Sequence, residues 1–231
     1  MIRLPDQRAW SLVGSDLDER GFSIIPALVG REGCEELAAG YDRDQFRSKI
    51  VMARHGFGSG EYKYYRYPLP ALIAELRRSL YERLVPVANQ WREQLDSPVR
   101  YPARLSDFLD QCHSAGQTRP TPLILSYGPG DYNCLHQDVY GETLFPIQVA
   151  VLLTSTTQFS GGEFILAEQR PRRQSKAQVV PLEQGDAVAF AVRDRPVRGS
   201  RGFYRVQHRH GVSEVRTGQR RTLGIIFHDA A

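Results

Sequence analysis

From Pro122 onward the sequence breaks into short apolar runs separated by glycine-rich turns, and this pattern constrains the fold more than any other feature. The runs are Leu123–Tyr127, Ile147–Leu153, Glu163–Leu166, Val179–Leu182, Ala187–Val192, Tyr204–His208 and Thr222–His228. Between them lie Gly128-Pro129-Gly130, Gly161-Gly162, Gly185-Asp186, the stretch from Gly199 to Gly202, and Thr217-Gly218. Runs this short have the length of strands, not helices. So many of them at this spacing predict a sandwich or barrel of the jelly-roll type.

The residues before Pro122 have a different texture. Trp10 to Arg20 is a short amphipathic stretch that stops at Gly21, Phe22–Ile25 reads as a strand, and Cys34–Ala39 reads as a helix ended by Gly40. Between Leu69 and Leu95, apolar residues at Leu72, Ile73, Leu76, Leu80, Leu84, Val87 and Trp91 recur every three or four positions. That spacing marks a long helix with one buried stripe and a bend point at Pro86. Residues 104–113 give one more helix. The fold class is therefore α+β: a double-stranded β-helix core over residues 121–231, with mainly helical support from residues 1–120 packed outside. The change near residue 120 is one of element type with no linker composition, so residues 1–231 read as a single domain.

Composition adds exclusions. Hydrophobic residues at 41% and charged residues at 24% suit a chain that buries a core and argue against disorder. No apolar run approaches the roughly 18 residues of a membrane-crossing helix. Met1 to Asp6 lacks the apolar stretch of a signal peptide, and Cys34, Cys112 and Cys134 form no C-x-x-C pair, so a reducing cytoplasm is expected. The formal charge of +4 is uneven, because Arg170 to Arg221 alone carries a net +9. Such a segment suits a polyanionic partner, nucleic acid included, or else a solvated arginine-rich surface.

The chemistry concentrates at His136-Gln137-Asp138, the one H-x-D in the chain. On a strand, residues two apart face the same side, so both side chains can reach one metal. A further histidine completes a two-histidine, one-carboxylate facial triad, the donor set that leaves open positions on non-haem Fe(II). His208 and His210 share strand parity, so either can be that ligand. A buried histidine satisfied by hydrogen bonds is the alternative. Ten residues later comes Arg220; if the chain turns at Thr217-Gly218, its strand is expected to run back beside the histidine strand and to point an arginine into the same cavity. Its planar guanidinium suits a bidentate carboxylate, and the Thr222 hydroxyl faces the same way, whereas Arg221 is expected to face outward.

The ordered set Tyr127, His136-Gln137-Asp138, Gly161-Gly162-Glu163, Gly185-Asp186-Ala187-Val188, His210-Gly211-Val212 and Gly218 to Leu223 resembles the 2-oxoglutarate and Fe(II)-dependent dioxygenases, in their prolyl-hydroxylase-like branch. The resemblance implies iron ligation by His136, Asp138 and His210, since the distal histidine of the family is followed by x-Val, as His210 is. It also implies that Arg220 and Thr222 bind the distal carboxylate of 2-oxoglutarate and that Tyr127 touches the same cosubstrate. Where relatives often place a second tyrosine, this chain has Leu152. The segment Ser126 to Glu142, with Glu168-Gln169-Arg170-Pro171-Arg172 and Gly224 to Asp229, is similar to a bacterial group of such oxygenases described for oxidative demethylation of damaged DNA, a DNA-repair activity. The implied cofactors are Fe(2+), 2-oxoglutarate as cosubstrate, and O2. The implied oxidoreductase reaction couples 2-oxoglutarate decarboxylation to C–H hydroxylation, with formaldehyde lost from an N-methyl group.

Gln148, in an otherwise apolar strand, is placed by parity near the cosubstrate. Asn133, Gln137 and Tyr140 flank the metal motif as substrate contacts or structural hydrogen-bonders, and Arg170, Arg172, Arg173 and Lys176 sit in a loop that can meet phosphates. Gly56 to Gly60, followed by Tyr62, Tyr64, Tyr65 and Tyr67, is either a mobile aromatic flap or an ordinary hairpin. A protein side chain such as proline, or a small molecule, is the alternative substrate. A metal-binding jelly roll without activity is the third reading, but it has no use for the Arg220–Thr222 pair.

Overall fold

The computed structural model describes residues 2–231; Met1 lies outside them. Four helices lie where the periodicity places them: α1 (Gln7–Arg20), α2 (Arg31–Ala39), α3 (Ala71–Gln94) and α4 (Leu105–Ser114). The Asp6 carboxylate caps α1 by accepting from the Ala9 amide at 2.9 Å. Gly21 ends α1 at a φ of 79°, the left-handed conformation a glycine adopts without steric cost. No helix among the described residues is long and apolar enough to cross a membrane.

Among the described residues there are also two short 3-10 turns, Gly40–Asp42 and Met52–His55, and fifteen strands. The N-terminal part supplies β1 (Phe22–Ile25), β2 (Phe46–Val51), β3 (Gly58–Ser59) and β4 (Glu61–Tyr65). The remainder supplies β5 (Leu123–Tyr127), β6 (Tyr132–His136), β7 (Ile147–Leu152), β8 (Phe159–Gly161), β9 (Phe164–Gln169) and β10 (Lys176–Val180). It continues with β11 (Ala187–Ala191), β12 (Asp194–Gly199), β13 (Gly202–Val212), β14 (Val215–Gly218) and β15 (Arg220–Ile225).

A seven-stranded sheet runs in the order β1-β11-β7-β15-β5-β4-β2 and faces a second sheet ordered β10-β9-β13-β6-β3, with β12 beside β13. All ladders between named strands are antiparallel, the jelly-roll arrangement expected. Strand alternation sorts the seven-stranded sheet into two faces. Ile147, Val149 and Val151 of β7 and Leu223 and Ile225 of β15 join the helices in the main core, with Leu17, Leu37, Leu76, Leu80, Leu84 and Phe108. Their neighbours Ala150 and Leu152 turn the other way, into a smaller core with Phe164, Leu166 and Phe190 between the sheets. The helices thus cover one face, and the other encloses the space where the polar residues of β15 and β7 converge.

The first half departs from the mainly helical expectation. Residues 46–65 form β2, β3 and β4, and β4 pairs with β5 in register Tyr62↔Leu125 and Tyr64↔Leu123. Of the two readings for this tyrosine-rich stretch, the hairpin is the one observed. Its polar alternation (Phe46-Arg47-Ser48-Lys49) is that of the edge strand β2, whose side chains are half-buried or exposed.

Candidate active site

The two sheets enclose a cavity of about 180 Å³ whose walls are mainly apolar, with polar side chains at two places. At one, His136, Asp138 and His210 bring one ligand atom each to within 4.8 Å of one another. His136 Nε2 lies 3.5 Å from Asp138 Oδ1, and His210 Nε2 lies 3.4 Å from Asp138 Oδ2. The cross-strand register His210↔His136 between β13 and β6 sets the two rings 4.2 Å apart. His136 closes β6, and Gln137 and Asp138 lie past its end. Strand parity alone therefore does not aim the carboxylate, contrary to the expectation for this motif.

The three protonation states are coupled: burial pulls the His136 imidazole down, but the Asp138 carboxylate outweighs it and raises His136 overall. His136 Nδ1 donates to the Cys134 carbonyl at 2.8 Å, which turns Nε2 toward Asp138 and the cavity. Burial, with His136 close by, pushes the His210 imidazole toward its neutral form. Burial by itself would raise Asp138, but hydrogen bonds from both histidines hold its carboxyl well below the usual carboxylate range. Two imidazole nitrogens and one carboxylate thus face a common point, the donor set of a facial triad.

At the second place stand Arg220 and Thr222 of β15, Tyr127 of β5 and Gln148 of β7, all buried and all lining the same cavity. Arg220 Nη1 donates to Thr222 Oγ1 at 2.6 Å, and its guanidinium carbon sits 5.7 Å from the centre of the Tyr127 ring. Burial pushes the Arg220 guanidinium down to about 10, and among the described residues it has no carboxylate partner. Gly162, at a φ of 65°, makes room for it: a Cβ there would stand 2.7 Å from Arg220 Cδ. Arg220 Nε, the Tyr127 hydroxyl and Gln148 Oε1 are buried with no hydrogen-bond partner in the protein. Unpaired polar atoms around an uncompensated guanidinium fit a small anionic ligand that accepts and donates hydrogen bonds.

The other sequence-selected residues divide. Asn133, Gln137 and Tyr140 line the cavity, but two of them have protein partners. Gln137 Nε2 donates to the His208 carbonyl at 2.7 Å, and the Tyr140 hydroxyl donates to Asp138 Oδ1 at 2.7 Å. Arg170 is held by the Glu168 carboxylate at 2.6 Å, so it is not a free phosphate contact; Arg172 is exposed at the β9–β10 turn. Neither arginine lines the cavity. Arg221 takes the opposite sheet face from Arg220, as parity requires, but not into solvent. Its Nη1 donates to the Ala38 carbonyl at 2.6 Å, and its guanidinium lies 5.0 Å from the Tyr41 ring centre.

His208 shares the inward parity of His210 but belongs to another cluster. Arg195 Nε donates to His208 Nε2 at 3.2 Å, and Arg195 pairs with Glu168 at 2.6 Å. Burial and the Arg195 charge push the His208 imidazole down to about 4, so it is neutral. Glu168 and Arg195 were not singled out as a pair by sequence reasoning. Glu168 alternates with buried Phe164 and Leu166 on β9, and an inward carboxylate at that parity calls for a buried cation. The aromatic walls Phe164 and Phe190 were also missed, because their sequence pattern is that of ordinary core, whereas Phe57 and Tyr62 belong to the aromatic stretch after Gly56 that the sequence did single out.

Fold and site together define an oxygenase of the double-stranded β-helix class. A family model described as "Oxygenase, catalysing oxidative methylation of damaged DNA" matches residues 60–230, and the chain belongs to that family. Two Mycobacterium tuberculosis proteins, Uncharacterized protein MT2286 (strain CDC 1551 / Oshkosh) and Uncharacterized protein Rv2227 (strain H37Rv), are each 49% identical over 165 residues, covering 71% of this chain and 71% of each relative. Among solved structures, a 2OG-Fe(II) oxygenase family oxidoreductase from Burkholderia pseudomallei matches with a TM-score of 0.57 at 15% identity, over 100% of this chain and 97% of that one. A Pseudomonas putida prolyl-4-hydroxylase matches with a TM-score of 0.55 at 14% identity, over 93% and 96% of the two chains. At these identities the likeness to the solved structures establishes the shared fold.

Proposed function

We propose that this oxygenase uses Fe(2+), 2-oxoglutarate and O2 to hydroxylate an N-alkyl group on damaged DNA. The observation that carries the reading is the convergence in one apolar cavity of the His136, Asp138 and His210 donors with the unpaired Arg220 guanidinium. The three side chains would hold the iron. Arg220 and Thr222 would receive the distal carboxylate of 2-oxoglutarate, and Tyr127 and Gln148 offer its remaining polar contacts. When bound, the iron and cosubstrate supply the activation of O2 that hydroxylation requires. The chain's own share is orientation and exclusion of water: Phe57, Leu125, Phe164, Phe190 and Val212 wall the cavity, and the second sheet closes over it.

The DNA part rests on the family description and on the exposed cations of the segment from Arg170 to Arg221, such as Arg172 and Arg173, since Arg170, Arg195, Arg220 and Arg221 have partners inside the protein. A cytoplasmic setting belongs to the same reading, supported by three free cysteines. The test is formaldehyde release, with 2-oxoglutarate and Fe(II) supplied, from N-methylated single-stranded DNA against a panel of proline-containing peptides. Formaldehyde from the DNA supports the reading. Hydroxylated peptide with inert DNA would transfer the same chemistry to a protein side chain, and no 2-oxoglutarate turnover with any substrate would remove it.

A further inference from the structure

β6 stops at His136, which still pairs with His210, so the stretch after it that carries Asp138 lies outside the ladder and is held by side chains. The Gln137 amide ties it to β13 through the His208 carbonyl, two residues from His210. The second tie acts on the ligand itself. The Tyr140 hydroxyl donates to Asp138 Oδ1 at 2.7 Å, the oxygen 3.5 Å from His136 Nε2, while Oδ2 faces His210 Nε2 at 3.4 Å. The Tyr140 ring is fixed in turn, packed against a buried cluster of Tyr64, Leu123 and Ile226, with His228 6.3 Å away between ring centres.

We propose that Tyr140 is a positioning residue for the metal site: by holding Oδ1 it fixes the rotation of the Asp138 carboxylate between His136 and His210 and leaves Oδ2 the oxygen free to bind an ion shared with them. The physical reason is the symmetry of a carboxylate. Its two oxygens are equivalent until a donor engages one, and an unrestrained carboxylate can swing or close on the ion with both. Closure with both would take one of the positions that the cosubstrate and O2 need. The inference rests on the metal-dependent reading above, and it replaces the substrate contact that the sequence suggested for Tyr140.

Tyr140→Phe removes the hydroxyl and keeps the ring. The probe is Co(II), without 2-oxoglutarate or O2, followed by calorimetry and by its visible absorption. The expected result is an affinity weakened about 10–100-fold with an altered visible spectrum, while the metal-free variant melts close to wild type. In an Asp138→Ala background the same substitution should have no further effect on metal affinity, since the group it orients is gone. Wild-type affinity and spectrum in Tyr140→Phe, with only a raised KM for substrate, would overturn the proposal and return Tyr140 to a substrate contact. Co(II) binding absent from the wild type itself would instead overturn the metal reading, and this inference with it.

Discussion

Replacing Arg220 by methionine should stabilise the ligand-free protein while removing its response to 2-oxoglutarate. Three arginines are buried to 2% exposure or less, and two of them have carboxylate partners: Arg77 with Asp229 at 2.7 Å and Arg195 with Glu168 at 2.6 Å. Arg220 has only the Thr222 hydroxyl. Burial lowers its pKa from 12.5 to about 10, and a depression of that size corresponds to about 3 kcal/mol against the charged form in the fold. The folded-state pKa of this base lies below its unfolded value, so the penalty is fully present at neutral pH. Methionine keeps the apolar stem and removes the charge, at the loss of one hydrogen bond of about 1 kcal/mol. The net gain is about 2 kcal/mol, a rise of roughly 4–8 °C in Tm for a chain of this size. Thermal melts at pH 7 should show that rise without ligand. With Mn(II) and 2-oxoglutarate, the wild type should gain stability and Arg220→Met should gain none from the 2-oxoglutarate. A variant that melts below wild type without ligand, or that 2-oxoglutarate stabilises as much as wild type, would refute the assignment of Arg220 as a carboxylate receptor.

Gly162→Ala places a methyl 2.7 Å from Arg220 Cδ at a φ of 65°, so 2-oxoglutarate affinity measured by calorimetry should fall several-fold while metal affinity holds. His208 and His228 are pushed down to about 4 by burial, below the unfolded value of about 6.5, so the unfolded chain binds more protons between those limits. Stability should therefore fall as pH drops from about 6.5 to 4, by up to about 3 kcal/mol for each group, and urea midpoints should show a shallower fall in His208→Gln. Arg172→Ser with Arg173→Ser should flatten the log–log salt dependence of single-stranded DNA binding, by about 0.7 for each phosphate that is no longer neutralised, and an unchanged slope would remove that loop from the interface.

Much of the site was legible because strand alternation is a strict rule. In β15 it sends Arg220 and Thr222 into the cavity and Arg221 to the opposite face, although β15 reaches the site from the sheet facing β13 and not from beside the histidine strand. What parity does not reveal is what covers the opposite face, so Arg221 meets Ala38 and Tyr41 where solvent was expected. The strands least visible in sequence are those with polar content. β12 carries Arg195, Pro196 and Arg198, and a proline fits there because the strand pairs on one side only, with β13. β2, an edge strand, was obscured because Phe46-Arg47-Ser48-Lys49 gives no continuous apolar run, whereas β4, between β5 and β2, was readable from its alternating tyrosines as a hairpin. The contacts of Gln137, Tyr140 and Arg170 depend on side chains meeting across distant strands, which one sequence without its fold does not specify. His208 and His210 illustrate the same limit: parity made them equal, the resemblance favoured His210, and the Glu168–Arg195 pair shows where His208 goes instead.

The central claim is that His136, Asp138 and His210 hold one Fe(II) beside a 2-oxoglutarate site. The direct measurement is anaerobic titration of the protein with Fe(II) and 2-oxoglutarate, reading the visible charge-transfer absorption of their chelate. The band is expected in wild type and in His208→Gln, and its loss is expected in His136→Ala, Asp138→Ala and His210→Ala. A band that survives in His210→Ala but vanishes in His208→Gln would contradict the claim.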